Sequence, residues 1–159
     1  MHDQSNIAEF FKTTFIIYFA LAAGQILFFT IAVVFVESSG NTPNNELDNV
    51  FTILVPVFGI LMMFTSRTLY YKNVSKTNGI ISLSGKLNTY RTFKMISWAQ
   101  IEAGSIVALV AYMVTFNSLY VFVFLFLIGF FIMIRPSRDN FIKDFNITSE
   151  DSDIILRNS

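Results

Sequence analysis

The chain has 159 residues, of which 53% are hydrophobic and 14% are charged, and its 11 basic and 11 acidic side chains leave no net charge. A soluble domain of this size could not bury so much apolar surface, so the composition excludes one and predicts an integral membrane protein. The absence of cysteine excludes disulfide bonds and thiolate metal ligands.

Four apolar segments follow one another along the chain, at residues 13–36, 50–66, 95–116 and 119–134. At a rise of about 1.5 Å per residue, the first and third easily cross a hydrocarbon core about 30 Å thick, and the other two are near the minimum length. We therefore expect an all-α integral membrane protein, a single domain over residues 1–159 with four transmembrane helices arranged as two helical hairpins. The first segment begins like a signal peptide, but its hydrophobicity continues too far, which favours a retained span.

The basic residues are segregated along the chain. Every Lys and Arg lies before the first segment, in the 67–94 connection or after the fourth segment, while residues 37–49 and 116–118 have none. Under the positive-inside rule, both termini and the connection are cytoplasmic and the two other loops are external. We expect a multi-pass protein of a bacterial cytoplasmic membrane.

The two halves of the chain resemble each other at an offset of 80 residues. This offset pairs Tyr18 with Trp98 and Gly24 with Gly104. Apolar segments often match by chance, so an internal duplication is one of two interpretations.

The polar segments predict little regular structure. The 67–94 connection contains the turn signal Asn78-Gly79, and we expect an ordered loop of low regularity there. Pro136 should end the fourth helix. In the cytoplasmic tail over 136–159, "SRDNFIKDF" predicts a short amphipathic helix, and "TSED" at 148–151 is similar to a helix-capping box.

The third segment contains a carboxylate, Glu102, too deep in the predicted span to reach water. An acid near the centre of a membrane helix costs about 2.5 to 3.5 kcal/mol, so we expect Glu102 to be buried between helices, hydrogen-bonded and protonated. Gln25 in the first segment is the leading candidate partner, and Ser105 lies on the same side of the helix as Glu102. Other candidates are the Ser97 and Thr30 hydroxyls and the Thr52 carbonyl, released by Pro56.

Small residues form a stripe on the opposite side of the third segment. Gly104 and Ala108 are spaced by four and predict close approach of a neighbouring helix, across which Gln100 could hydrogen-bond. In the first segment, Ala20 and Gly24 repeat this spacing. We therefore expect Gly24, Gly104, Ala108 and Gln100 to serve helix packing.

The stretch "IEAGSIVALVAY", after the basic approach "GKLNTYRTFKMISWA", resembles the carboxylate-bearing helix of rotor proteolipids, the c-type subunits of rotary ATP synthases and ATPases. In that family an acid in a helical hairpin binds and releases a proton or sodium ion, and duplicated members have four helices. The resemblance implies that Glu102 is this acid and that Ala22 marks the empty position. The Phe-rich fourth segment and the position of the acid in the third helix depart from the family pattern.

Two classes of function remain open. The chain has no cysteine, no intramembrane histidine and no catalytic or nucleotide-binding motif, so we expect no enzyme, no cofactor, no metal site and no nucleic-acid partner. The first class is an accessory subunit of a membrane complex, or a homo-oligomer, whose partners are the bilayer and other membrane helices. The second is a proton- or ion-binding transport component in which Glu102, Gln25 and Ser105 form the candidate site.

Overall fold

The computed structural model describes residues 2–40, 45–76, 82–148, 152 and 155–156. This part of the chain is helical and contains no strand. Five helices follow in order: α1 (His2–Ser39), α2 (Asn45–Lys76), α3 (Leu83–Thr115), α4 (Leu119–Met133) and α5 (Arg138–Asp144). The predicted all-α class is confirmed.

Three helices, α1, α2 and α3, are long and apolar enough to cross a membrane. The fourth, α4, has 15 residues and rises about 22 Å, less than the thickness of the hydrocarbon core. It passes the same test only together with α5, from which it is bent by 73°. The structure therefore supports three to four membrane-spanning helices.

The helix α3 is the centre of the bundle. It packs along α1, α2 and α4, and α2 also contacts α4. By contrast, α1 and α2 make few contacts with each other although they are consecutive, so the predicted hairpin of the first two helices is not a packed pair. The physical reason is that each of them uses its narrow buried side against α3, the helix with the largest buried fraction.

The prediction of an irregular 67–94 connection is wrong for most of its length. Helix α2 continues to Lys76 and α3 begins at Leu83, where the Ser82 hydroxyl accepts a hydrogen bond from the Gly85 amide. Buried residues recur at helical spacing on both helices, at Tyr70 and Val74 and again from Leu87 onward. Their burial stabilises helix beyond the apolar segments. The predicted turn at residues 78–79 lies outside the described residues.

The segment after α4 folds back onto the bundle. Helix α4 ends at Met133, before Pro136, and the Tyr90 hydroxyl both donates to the Ser137 carbonyl (3.2 Å) and accepts from the Ser137 amide (3.0 Å). The Trp98 indole donates to the Ile134 carbonyl (3.2 Å). Helix α5 then buries Phe141 completely, so its apolar side packs on protein. The predicted capping box falls largely outside the described residues.

At the other end of the bundle, Asp48 ties α2 to the α3–α4 turn. Its carboxylate accepts hydrogen bonds from the Asn117 side-chain amide (2.8 Å) and the Tyr120 hydroxyl (2.8 Å). The turn itself needs Phe116 in the left-handed conformation, with φ of 59°. These hydrogen bonds hold the three-residue turn at 116–118 against the start of α2.

Two regions differ in how they bury apolar side chains. The basic-end core is the cluster at the end of the bundle where the basic residues lie: Ile7, Phe10, Phe11, Tyr70, Val74, Leu87, Tyr90, Phe141, Phe145 and Ile155. The membrane middle comprises the apolar segments, with buried clusters centred on Trp98 and Ala108. Many large apolar side chains of the membrane middle are exposed, as expected where lipid is the solvent.

Candidate functional site

Helices α1 and α3 run parallel with a nearly constant register. The Arg91 guanidinium Nε donates to the Thr14 hydroxyl (3.3 Å), and further along the two helices the rings of Tyr18 and Trp98 lie 5.3 Å apart. Residues about 80 apart in sequence therefore lie at the same height. This register brings Gln25 to the level of α3 that carries Glu102 and Ser105.

Glu102 is partly exposed at the edge of α3. It lies beside Ala99 and Ile106, which belong to the exposed stripe of that helix. Its carboxyl group makes no hydrogen bond or ion pair with any residue that the structure describes. This placement differs from the expected acid enclosed between helices, because Glu102 shares the exposed stripe of α3 with Ala99 and Ile106.

Two of the other predicted partners are already engaged. The Ser97 hydroxyl donates to the Ser66 carbonyl on α2 (3.2 Å), and the Thr30 hydroxyl donates to the Ile26 carbonyl of its own helix (3.0 Å). The Thr52 carbonyl accepts no hydrogen bond from Glu102, because the Glu102 carboxyl group makes none with any described residue. The structure does not bring these groups to Glu102.

Gln25 and Ser105 are buried without partners. Gln25 is 2% exposed and Ser105 is fully buried. Both polar atoms of the Gln25 amide and the Ser105 hydroxyl make no hydrogen bond with the described residues. Because buried polar groups normally have a hydrogen-bond partner, each of these atoms is a position where a further group could bind. Together with Glu102 they are the midspan polar residues, which lie at about the same level of α1 and α3.

The predicted packing stripe is tight on α3 and open on α1. A Cβ built on Gly104 would lie 3.3 Å from Leu127 Cδ1 and 3.8 Å from Gly59 Cα, so α2 and α4 approach α3 closely there. Ala108 is fully buried. A Cβ on Gly24 would meet nothing within 4 Å. The structure therefore does not bring Gly24 against a neighbouring helix, because α1 turns that side outward.

Gln100 also has an unsatisfied atom. Its side-chain Oε1 is buried and has no hydrogen-bond partner among the described residues. It lies on the side of α3 opposite Glu102, so it does not join the midspan polar residues. The cross-helix hydrogen bond predicted for it is not formed within the described part of the chain.

The midspan polar residues have restricted chemistry. A carboxyl, an amide and a hydroxyl can hold a proton, a water molecule or a weakly coordinated cation. Divalent ions need more oxygen ligands, and no group of three or more His, Cys, Asp or Glu among the described residues is placed to hold a metal ion.

A second polar site was not predicted from the sequence. A cavity of about 220 Å³, the basic-end pocket, opens between α2, α3 and the α4–α5 segment. Its walls are formed by Ser66, Arg67, Tyr70, Tyr71, Lys94, Ser97, Phe130, Met133, Ile134, Asn140 and Asp144. The available signal was the helical spacing of Leu87, Tyr90 and Lys94, which places a lysine in line with two buried residues.

No family model, no curated protein and no solved structure matches this chain. The resemblance of the third helix to rotor proteolipids stays a prediction.

Proposed function

We propose that the protein is a non-enzymatic integral membrane protein that acts as an accessory subunit of a membrane complex or as a homo-oligomer. Its interaction surface lies in the membrane middle, where helices of a neighbouring subunit would pack. The observation that carries this proposal is Glu102, a partly exposed carboxyl group with no partner among the described residues. An acid in hydrocarbon needs a hydrogen-bond partner, and a polar group of a second subunit would supply it.

The exposed surface of α1 and α2 is consistent with this role. In the most apolar 18-residue window of each helix, 11% of the residues are buried, against 50% in α3. Lipid alone can cover such faces. The partner is therefore assigned to the Glu102 edge of α3, the position where apolar lipid leaves a polar group unsatisfied.

The test compares Glu102→Gln with Glu102→Leu by native mass measurement from mild detergent. The native mass of the wild-type protein should exceed the 18.1 kDa of a single chain. The glutamine variant keeps a hydrogen-bond donor and should assemble, whereas the leucine variant should dissociate. Glu37→Gln and Glu37→Leu, at an exposed acid beyond the apolar segment, are the matched controls. A monomeric wild type, or a leucine variant that assembles normally, would contradict the proposal.

A second candidate function is proton or monovalent-cation binding at the midspan polar residues. The supporting observation is that Gln25 and Ser105, both buried and unpartnered, lie at the level of Glu102. Labelling by a carboxylate-reactive carbodiimide should then depend on pH or be slowed by sodium, and Gln25→Leu should alter that dependence. In this case Glu102→Gln would lose proton or cation binding while the assembly stayed intact. Labelling independent of pH and of sodium would exclude this candidate.

We also propose that α4 is the fourth span and that both chain ends are cytoplasmic in a bacterial membrane, with residues 37–49 and 116–118 outside. The support is the segregation of the basic residues. Because the chain has no cysteine, Ser38→Cys and Ser75→Cys each introduce one exposed thiol. A membrane-impermeant thiol reagent should label Ser38→Cys in intact cells and Ser75→Cys only after permeabilisation. The opposite pattern would reverse the orientation.

A further inference from the structure

The basic-end pocket holds a buried cation. Lys94 is 7% exposed, and its ammonium lies 4.4 Å from the ring centroid of Tyr70 and 5.6 Å from that of Tyr90. It donates no hydrogen bond to any described residue. The aromatic faces stabilise the ammonium, but a buried charge without an acceptor remains costly. The pocket therefore presents a lysine that lacks a hydrogen-bonding counter-group.

Two other charged groups face the same cavity. The Asp144 carboxylate accepts a hydrogen bond from the Tyr70 hydroxyl (2.5 Å), and the Arg67 guanidinium lies 5.8 Å from the Tyr71 ring centroid. The two cations and one carboxylate leave one net positive charge. A phosphodiester carries one negative charge and accepts charge-assisted hydrogen bonds from arginine and lysine. Its charge and hydrogen-bonding chemistry complement this pocket.

The pocket is polar on one side and apolar on the other. Asn140 and Asp144 of α5 form the polar side, whereas Phe130, Met133 and Ile134 at the end of α4 form the apolar side. Met133 is 78% exposed, so this apolar side opens onto the surface of the bundle. A free ion would gain nothing from the apolar wall, but a ligand with a hydrocarbon part would.

An apolar groove also lies between α2 and α4, the helices that carry Arg67 and the apolar wall of the pocket. It encloses about 250 Å³ and is lined by Pro56, Gly59, Ile60, Leu119, Phe122, Val123, Phe126 and Leu127. Phe126 and Phe130 occupy successive turns of α4, so the groove begins one turn beyond the pocket. From Ile134 to Val123 the helix rises about 16 Å, close to half of a hydrocarbon core about 30 Å thick. The groove thus has the reach of an acyl chain in one leaflet.

We propose that the basic-end pocket and this groove form one binding site for a membrane phospholipid. The phosphate diester lies between Arg67 and Lys94, and an acyl chain follows the groove between α2 and α4. The site is separate from the Glu102 edge of α3, so the inference rests on the proposed insertion in a membrane but not on the proposed accessory role.

The headgroup half is tested by native mass spectrometry of the full chain after equilibration with phosphatidylglycerol or with diacylglycerol, which lacks the phosphate. Wild-type protein should retain phosphatidylglycerol and release diacylglycerol. Arg67→Ala and Lys94→Met should each weaken phospholipid retention about tenfold, the loss expected for a charge-assisted contact. Lys72→Ala removes an exposed charge on α2 outside the pocket and should leave retention unchanged. Equal retention of the two lipids would overturn the proposal.

The groove half is tested by filling it from its rim. Ile60→Trp should reduce phospholipid retention, and Ile53→Trp, at another exposed position of α2, should not. Because Arg67 is exposed and Ile60 is 57% exposed, the Arg67→Ala and Ile60→Trp variants should fold. Competition by inorganic phosphate distinguishes the sources. If phosphate alone displaces the lipid and Ile60→Trp has no effect, the pocket is a site for a soluble anion and the lipid assignment is wrong.

Discussion

The basic-end core and the membrane middle are built on the same long helices and solve different problems. In the basic-end core, side chains of α1, α2, α3 and α5 enclose Tyr90 and Phe141 completely, as in a water-soluble protein. In the membrane middle, α1 and α2 leave most of their apolar side chains partly or fully exposed. The difference shows that each long helix extends through two environments, water at the basic end and lipid in the middle. Burial of an apolar side chain stabilises the protein for a different reason in each environment.

Packing should therefore determine stability differently in the two regions. Water drives apolar side chains together at the basic end, whereas lipid tails are as apolar as leucine and provide no such force in the middle. Stability in the middle should depend on close fit and on polar contacts between helices. Substitutions at matched positions in the two regions test this difference.

The largest effect is expected for Phe141→Ala in the basic-end core. Phe141 is fully buried against Phe11, Tyr90 and Phe145, and truncation of such a side chain costs about 3 to 5 kcal/mol. The same change at Phe64, which is 70% exposed on α2, should cost less than about 0.5 kcal/mol. Unfolding in detergent can be followed through the fluorescence of Trp98. Similar losses from the two variants would remove the distinction between the regions.

A smaller loss is expected from Gly104→Leu in the membrane middle. The Leu127 side chain and the Gly59 backbone lie too close for a larger residue, and overpacking costs about 1 to 3 kcal/mol. Gly24→Leu makes the same change where nothing lies within 4 Å, and it should be nearly neutral. The measurement is the midpoint of thermal unfolding in the same detergent. If Gly24→Leu were as damaging, α1 would have a close neighbour in the membrane.

The smallest effect is expected where the two regions meet. The Ser66 and Ser97 hydroxyls donate to each other's backbone carbonyls at 3.2 Å, linking α2 to α3. Replacing either serine with alanine should cost about 0.6 kcal/mol, typical of a hydrogen bond between membrane helices. Thr65→Ala is the control, because the Thr65 hydroxyl bonds to the Leu61 carbonyl of its own helix (2.8 Å). An unchanged unfolding midpoint in both serine variants would mean that this link contributes nothing.

Much of the candidate site could be recognised from the sequence, but its geometry could not. A carboxylate in an apolar helix is visible in the residues alone, and so are Gln25 and Ser105 as polar groups in apolar segments. The side that each helix turns toward its neighbours depends on packing. Glu102 consequently lies at the outer edge of α3, and Gln25 and Ser105 are buried without partners. The basic-end pocket escaped prediction because Lys94, Arg67 and Asp144 come from three separate helices.

Composition and hydropathy by themselves determined that this is a helical protein suited to a membrane, because those properties belong to each segment separately. Tertiary structure alone decided that α3 is the central helix, that Gly104 is tight while Gly24 is open, and that helix continues through 67–76 and 83–94. An apolar residue satisfies lipid and protein interior equally well, so hydrophobicity cannot distinguish a lipid-facing side from a buried one. Conversely, the polar residues of the 67–94 connection obscure a stripe of apolar residues, which is buried only when α5 packs against it.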